Sequence, residues 1–296
     1  MIDIENFQDL HETAGKNKRF YEIFKDLESD KLEKSKEELD SLMLSHLNDM
    51  RESIKHGLSS PQLSVSGMSG TDSVKIAERY KSGEKLPMNK LFGKILSYAL
   101  AVIEENQRMG KIVACPTAGS CGIVPAVIIA YAEEFNIPEE KQINSLYTAG
   151  GIGKLIAQQV PLAGAVAGCQ AECGAACAMA AGAIVELMDG TNDMIINAAA
   201  LALKNVLGLV CDPIAGLVEV PCVKRNAFYA VHAVSASELA LAGVESVVPL
   251  DEVIEAMKQI GYLMSPALKE SSEGGLATTE TGCNIKRKLE KLWFGQ

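Results

Sequence analysis

From residue 88 onward, apolar and polar positions recur at helical spacing, in long stretches broken by brief Gly and Pro punctuation. The pattern predicts helices over 88–109, 122–135, 140–158, 171–187, 191–206, 223–242 and 250–263. Alternation of β-branched residues never lasts, so the expected fold is all-α. Before this body, Leu39, Leu42, Leu44 and Leu47 recur at helical spacing among dense charge and predict one or two exposed amphipathic helices. The change in composition divides the chain into a charged helical arm, 1–57, and a main domain, 58–296, whose first residues (58–73) form a Ser/Gly loop. Lys286 to Phe294 predicts a last amphipathic turn or two, with Trp293 and Phe294 docked on the core or on a partner.

Composition sharpens this picture. Aromatic residues are only 5% of the 296 residues, while Ala and Gly crowd the middle of the chain, which favours helices that approach closely. A net charge of −10 argues against nucleic acid as a partner, because phosphate binding needs clustered Lys and Arg. No apolar run reaches the roughly 18 residues of a membrane span. The opening Met1-Ile-Asp-Ile-Glu-Asn lacks the pattern of a signal peptide, so the expectation is a cytoplasmic protein away from membranes. Disulfides are rare there, which leaves the eight cysteines as buried thiols, metal ligands or reactive groups.

Cys169, Cys173 and Cys177 would line one stripe of a helix. Over two turns they span about 12 Å, awkward for one compact cluster, so helix packing explains the stripe and at most one of the three is expected to be a ligand. Cys115, Cys121, Cys211 and Cys222 each sit beside helix-breaking residues, where loop ends turn side chains toward a cavity. Thiols gathered from such positions suit a cubane cluster, although spacing alone leaves open which of them serve. Neither a zinc-ribbon nor a ferredoxin spacing occurs.

Other motifs are weaker. Gly150-Gly-Ile-Gly-Lys154 fails the phosphate-loop pattern at both ends and reads as a helix-start turn. No G-x-G-x-x-G motif follows a strand, and the all-α frame disfavours pyridoxal phosphate (PLP). Two loops, Ser66-Gly-Met-Ser-Gly-Thr-Asp72 and Cys115-Pro-Thr-Ala-Gly-Ser-Cys-Gly122, could hold a small anion at a helix start, or could simply cap it. Lys224-Arg225-Asn226 places charge and an amide near Cys222, or forms a solvated helix start. His232 reads as a core histidine, and His11, His46 and His56 as surface residues, so no acid–base histidine stands out.

Five blocks together resemble the α chain of iron–sulfur-dependent L-serine dehydratase. They are Ser66–Asp72, Ala114-Cys-Pro-Thr-Ala-Gly-Ser-Cys-Gly-Ile-Val-Pro-Ala126, Gly168-Cys-Gln-Ala-Glu-Cys-Gly-Ala-Ala-Cys-Ala-Met-Ala180, Cys211-Asp-Pro-Ile-Ala-Gly-Leu-Val-Glu-Val-Pro-Cys-Val-Lys-Arg-Asn-Ala227 and Gly274-Gly-Leu-Ala277. The resemblance implies a 4Fe–4S cluster held by Cys169, Cys211 and Cys222, with Cys115 and Cys121 left out. It also implies that Ser66, Gly67, Ser69 and Gly70, with Thr117, Ala118 and Gly119, hold the carboxylate and amine of L-serine. Asn226 joins them as a candidate substrate contact. Three thiolates would leave one iron free to polarise the serine hydroxyl as a Lewis acid, giving pyruvate and ammonia.

Two departures from the family pattern qualify this. Single-chain relatives carry a preceding β portion with a Ser-His-Thr-type motif thought to supply the base. Nothing similar occurs here, so a separate β subunit and a hetero-oligomer are expected. Relatives also use a near-terminal cysteine as a removable fourth ligand; Cys283 is the counterpart, yet thirteen residues follow it. The rival readings are a lyase acting on threonine or cysteine with the same cluster, and a non-catalytic Fe–S sensor.

Overall fold

A computed structural model describes residues 4–15 and 17–295. Among them the helices run in the order α1 (Phe7–Ala14), α2 (Phe20–Leu32), α3 (Lys36–Ser59), α4 (Asp72–Lys81), α5 (Lys90–Gln107), α6 (Ile123–Phe135), α7 (Glu139–Gln159), α8 (Gly164–Ala167), α9 (Cys169–Leu187), α10 (Asn192–Lys204), α11 (Cys222–Leu241), α12 (Leu250–Leu263) and α13 (Glu280–Phe294). Among the described residues the only extended pairing is an isolated parallel bridge between Cys211 and Lys269. The fold is all-α, as the periodicity requires.

The centre of the molecule is α9. Apart from Glu172, every residue of this helix is buried. Its sequence is Ala- and Gly-rich all round, the pattern of a helix surrounded by others rather than one facing solvent. Helices α6, α7, α10 and α11 pack around it. Small residues let them come close: a Cβ on Gly182 would lie 2.3 Å from Ile152 Cδ1 of α7, and one on Gly174 2.8 Å from Val206 Cγ2.

The predicted helices agree with those observed to within a few residues at each end. Two readings need correction. The Gly150-Gly-Ile-Gly153 run lies inside α7 and is no turn, because Gly151 receives the ring of Phe24 and Gly153 the side chain of Met179. The acidic segment forms three helices, not one or two, and their apolar faces are not exposed. Leu10, Phe20, Phe24 and Leu47 are buried in the same hydrophobic core as α5–α7 and α9–α12. Of the four leucines in the pattern, Leu39 and Leu47 point inward and Leu42 stays exposed. Ser35 caps α3 in a capping box with Glu38, and Asn89, Thr191 and Thr279 cap α5, α10 and α13. Trp293 is exposed, and the Phe294 side chain lies outside the described residues. No helix of the described residues is long and apolar enough to cross a membrane.

Helices α3 and α5 touch backbone to backbone at Gly57, where a Cβ would sit 2.2 Å from the Ala101 carbonyl oxygen. A backbone obstacle cannot rotate away. Gly57→Ala is therefore expected to destabilise the chain by about 2–3 kcal/mol, the range of overpacked cores, despite the better helix propensity of Ala. Denaturant unfolding measures this directly, and an unchanged midpoint contradicts the contact.

Candidate active site

Four thiols meet where α9 and α11 begin. Cys169 is the first residue of α9 and Cys222 the first of α11, while Cys211 lies in the segment between α10 and α11. Cys173 follows one turn into α9. The start of α9 depends on Gly168, at φ 77°, where a Cβ would also lie 2.9 Å from the Leu209 carbonyl oxygen. Cys211 is fixed by main-chain bonds, its N–H donating to Leu268 O at 2.8 Å and its carbonyl accepting from Glu270 N at 2.6 Å.

The thiols of Cys173, Cys211 and Cys222 all hydrogen-bond to Cys169, and with the Arg225 guanidinium they hold the Cys169 thiol far below the usual thiol range. The positive ends of two helices act in the same direction. The three donors are pushed the opposite way, first by those hydrogen bonds and then by burial. The remaining cysteines differ in kind. Burial pushes Cys115 up to about 12 with no compensating donor. Cys121 and Cys177 are also raised by burial, and Cys177 donates to Tyr229 O at 3.3 Å as a packing thiol. Cys283 is not among the converging thiols, and its nearest acceptor is Ala277 O at 3.9 Å.

Arg225 ties the thiols to the rest of the site. One of its nitrogens donates to Cys169 Sγ at 3.1 Å and Val210 O at 3.0 Å, and the other to Asp212 Oδ1 at 3.1 Å. Asp212 in turn accepts from Leu276 N at 2.9 Å, which anchors the Gly274–Ala277 segment. Lys224 instead reaches Asp72 at 2.8 Å, linking α11 to the start of α4. The Lys-Arg-Asn run is thus a set of three clamps.

Both Ser/Gly loops face this centre. Ser66 Oγ and Ser69 Oγ donate to the two carboxylate oxygens of Glu219, which stands one turn before Cys222. Thr117 Oγ1 donates to Glu172, one residue before Cys173, and lies 3.0 Å from Ser120 Oγ. A Cβ on Gly119 would lie 2.5 Å from Glu172 Oε1 and 3.0 Å from Val218 Cγ1, so the second loop is wedged between the two acidic segments. Asn226 has a different place from the one expected. It is fully buried, its Nδ2 donating to Gly119 O at 2.8 Å and Cys222 O at 3.0 Å, and its Oδ1 accepting from Gly122 N at 2.9 Å. With its amide fully engaged it positions the Thr117–Gly119 loop rather than reaching into the site.

Arg225 is singled out in the sequence only as charge near Cys222, and Glu172 and Glu219 are not singled out at all. Their one sequence signal is acidic residues inside otherwise apolar, Cys-containing blocks. Burial pushes the Glu172 carboxyl up to about 7 from its ordinary 4.5, with the Thr117 hydrogen bond opposing. The folded chain then binds this proton more tightly than the unfolded one, so stability falls as pH rises from 4.5 to about 7. The loss is expected to reach about 3 kcal/mol for the chain without cofactor, at 1.36 kcal/mol per pH unit. Urea midpoints at about pH 5 and about pH 7.5 should show that slope, and Glu172→Gln should flatten it.

Among the described residues no three His, Cys, Asp or Glu side chains stand in a metal-coordinating arrangement. The thiol chemistry nonetheless fits a 4Fe–4S cluster held by Cys169, Cys211 and Cys222. Soft thiolate donors come from three separate elements, and a guanidinium offsets their charge.

Residues 15–277 match the sequence family described as serine dehydratase alpha chain. The chain is 47% identical over 263 residues to the Bacillus subtilis (strain 168) protein named "Probable L-serine dehydratase, alpha chain", covering 89% of this chain and 86% of that one. It is 47% identical over 212 residues to the L-serine dehydratase alpha chain of Peptoniphilus asaccharolyticus, covering 72% of this chain and 73% of that one. Against an L-serine dehydratase of Escherichia coli (strain K12) it is 44% identical over 194 residues, 64% of this chain but 42% of that protein.

Proposed function

The chain belongs to the serine dehydratase alpha chain family, and from that premise we propose that it is the cluster-bearing subunit of an enzyme that removes water from L-serine to give pyruvate and ammonia. The observation that carries this is the gathering of Cys169, Cys211 and Cys222 beside two hydroxyl-lined loops. On this reading the three cysteines hold a 4Fe–4S cluster, which supplies Lewis acidity toward the substrate hydroxyl.

The chain's own residues do the rest. Hydrogen bonds from Cys173, Cys211 and Cys222, joined by the Arg225 guanidinium, favour the thiolate form of Cys169. Asn226 fixes the Thr117–Gly119 loop against α11, so its hydroxyl and backbone stand in a set position. Glu172, part-protonated near neutrality, can hold or release a proton beside Thr117 Oγ1. The histidines lie elsewhere: His232 bonds Ala202 O at 3.0 Å in the core, and His11 bonds Asp193 on the surface. A base for the α-proton is therefore expected from a separate β chain, in a hetero-oligomer.

Turnover of L-serine, L-threonine and L-cysteine by the assembled enzyme tests the substrate. L-Serine is expected to have the highest kcat/KM. Faster turnover of either rival would move the assignment to another lyase on this scaffold. A cluster that forms but leaves all three untouched would favour a sensor.

A further inference from the structure

The buried carboxylates differ in how their charge is compensated. Burying an anion is costly unless a cation or several aligned donors meet it. Glu186 is 7% exposed and meets Arg19 at 2.7 Å. Asp212 is 4% exposed and meets Arg225 at 3.1 Å. Glu104 is fully buried and accepts from Asp72 N, Ser73 N and Ser73 Oγ at the start of α4.

Glu219 stands apart. It is 2% exposed, and among the described residues its carboxylate accepts only from the neutral hydroxyls of Ser66 and Ser69, one on each oxygen. No Lys, Arg or His of the described residues pairs with it, since the nearby Lys224 and Arg225 are engaged with Asp72 and Asp212. An ionised carboxylate offers about four lone-pair sites, and here two are taken. Glu219 is also joined to the proposed cluster ligand Cys222 through Val220 and Pro221, and its neighbour Val218 lies against the Gly119 loop. Ser66 is half-buried and Ser69 buried.

We propose that Glu219 is the receptor for the α-ammonium group of the amino-acid substrate and thereby selects amino acids over the corresponding hydroxy acids. This rests on the dehydratase reading above. An ammonium brings three N–H donors and the positive charge that the site lacks. Ser66 and Ser69 then hold the carboxylate oxygens so that the remaining lone pairs face the substrate. The substrate's own carboxylate is left to the backbone and hydroxyls of the Thr117–Gly119 loop, apart from Glu219.

The test compares L-serine with 3-hydroxypropanoate, which has the hydroxyl and carboxylate but no ammonium. Binding of both is measured by calorimetry on the reconstituted complex with its β chain, alongside pyruvate formation. Glu219→Gln keeps the shape and can still accept from the serines, so it should weaken L-serine roughly 100-fold, as expected for loss of a desolvated charge-assisted bond. Binding of 3-hydroxypropanoate should be unchanged or tighter. Glu219→Asp, which keeps the charge, should retain a measurable preference for L-serine. Equal weakening of both ligands in the Gln variant, or unchanged L-serine binding, would overturn the role of Glu219 while leaving the dehydratase reading intact. If the wild-type complex forms no pyruvate and binds no L-serine, the dehydratase reading fails and this inference fails with it.

Discussion

Arg225→Met is expected to cost about 3–5 kcal/mol of stability, as removal of one partner from a buried ion pair does. The substitution keeps the apolar stem of the side chain and removes the guanidinium from three partners at once: Cys169 Sγ, Val210 O and Asp212. Asp212 is 4% exposed, so its carboxylate would be left buried with only the Leu276 N–H. Adding Asp212→Asn should recover a large part of the loss, because the stranded charge disappears while the amide oxygen can still accept from Leu276. Denaturant unfolding of the two single variants and the double variant reads this coupling. Strict additivity would mean that the pair is not the reason the residue matters. The Arg225 variant should also retain iron less well, since one of the groups that favour the ionised Cys169 sulfur is lost.

Replacing the thiols one at a time is expected to give the sharpest division. Cys169→Ser, Cys211→Ser and Cys222→Ser should each lose the cluster and all activity, because a hard hydroxyl is a poor ligand for cluster iron. Cys115→Ser and Cys177→Ser should keep both, since those sulfurs only pack; Cys177, for instance, donates to Tyr229 O. Cys173→Ser is the informative case. Its thiol donates to Cys169, yet on the present account it orients that sulfur without binding iron. The variant should therefore bind a full complement of iron with an altered paramagnetic spectrum. Iron and sulfide analysis of the reconstituted chains decides, and loss of iron from Cys173→Ser but not from Cys211→Ser would redraw the ligand set.

Much of this architecture could be read from spacing. Long amphipathic or uniformly small stretches such as α5, α9 and α12 declare themselves because their periodicity is the physical cause of their burial. The four-residue α8 could not be found that way. The charged first segment misled because Phe20, Phe24 and Leu47 are sparse in sequence yet converge on one core. Gly150 to Gly153 resembled a turn for a related reason: glycine for close packing and glycine for a bend look the same until the neighbour is known. The cysteines at helix ends were legible as candidates, and the resemblance chose among them. The carboxylates were not. Whether Glu172 is driven toward neutrality, or Glu219 is left without a cation, depends on what the fold packs against them. The part played by Asn226 depends on the Gly119 and Cys222 carbonyls that its amide meets, which spacing cannot show.

The most direct measurement is anaerobic reconstitution of the chain with iron and sulfide, followed by a pyruvate assay on L-serine with and without a β chain. The account predicts a protein with about four irons, as a 4Fe–4S cluster requires, that makes pyruvate only when the β chain is present. A chain that takes up no iron under these conditions, yet forms pyruvate from serine, would contradict it.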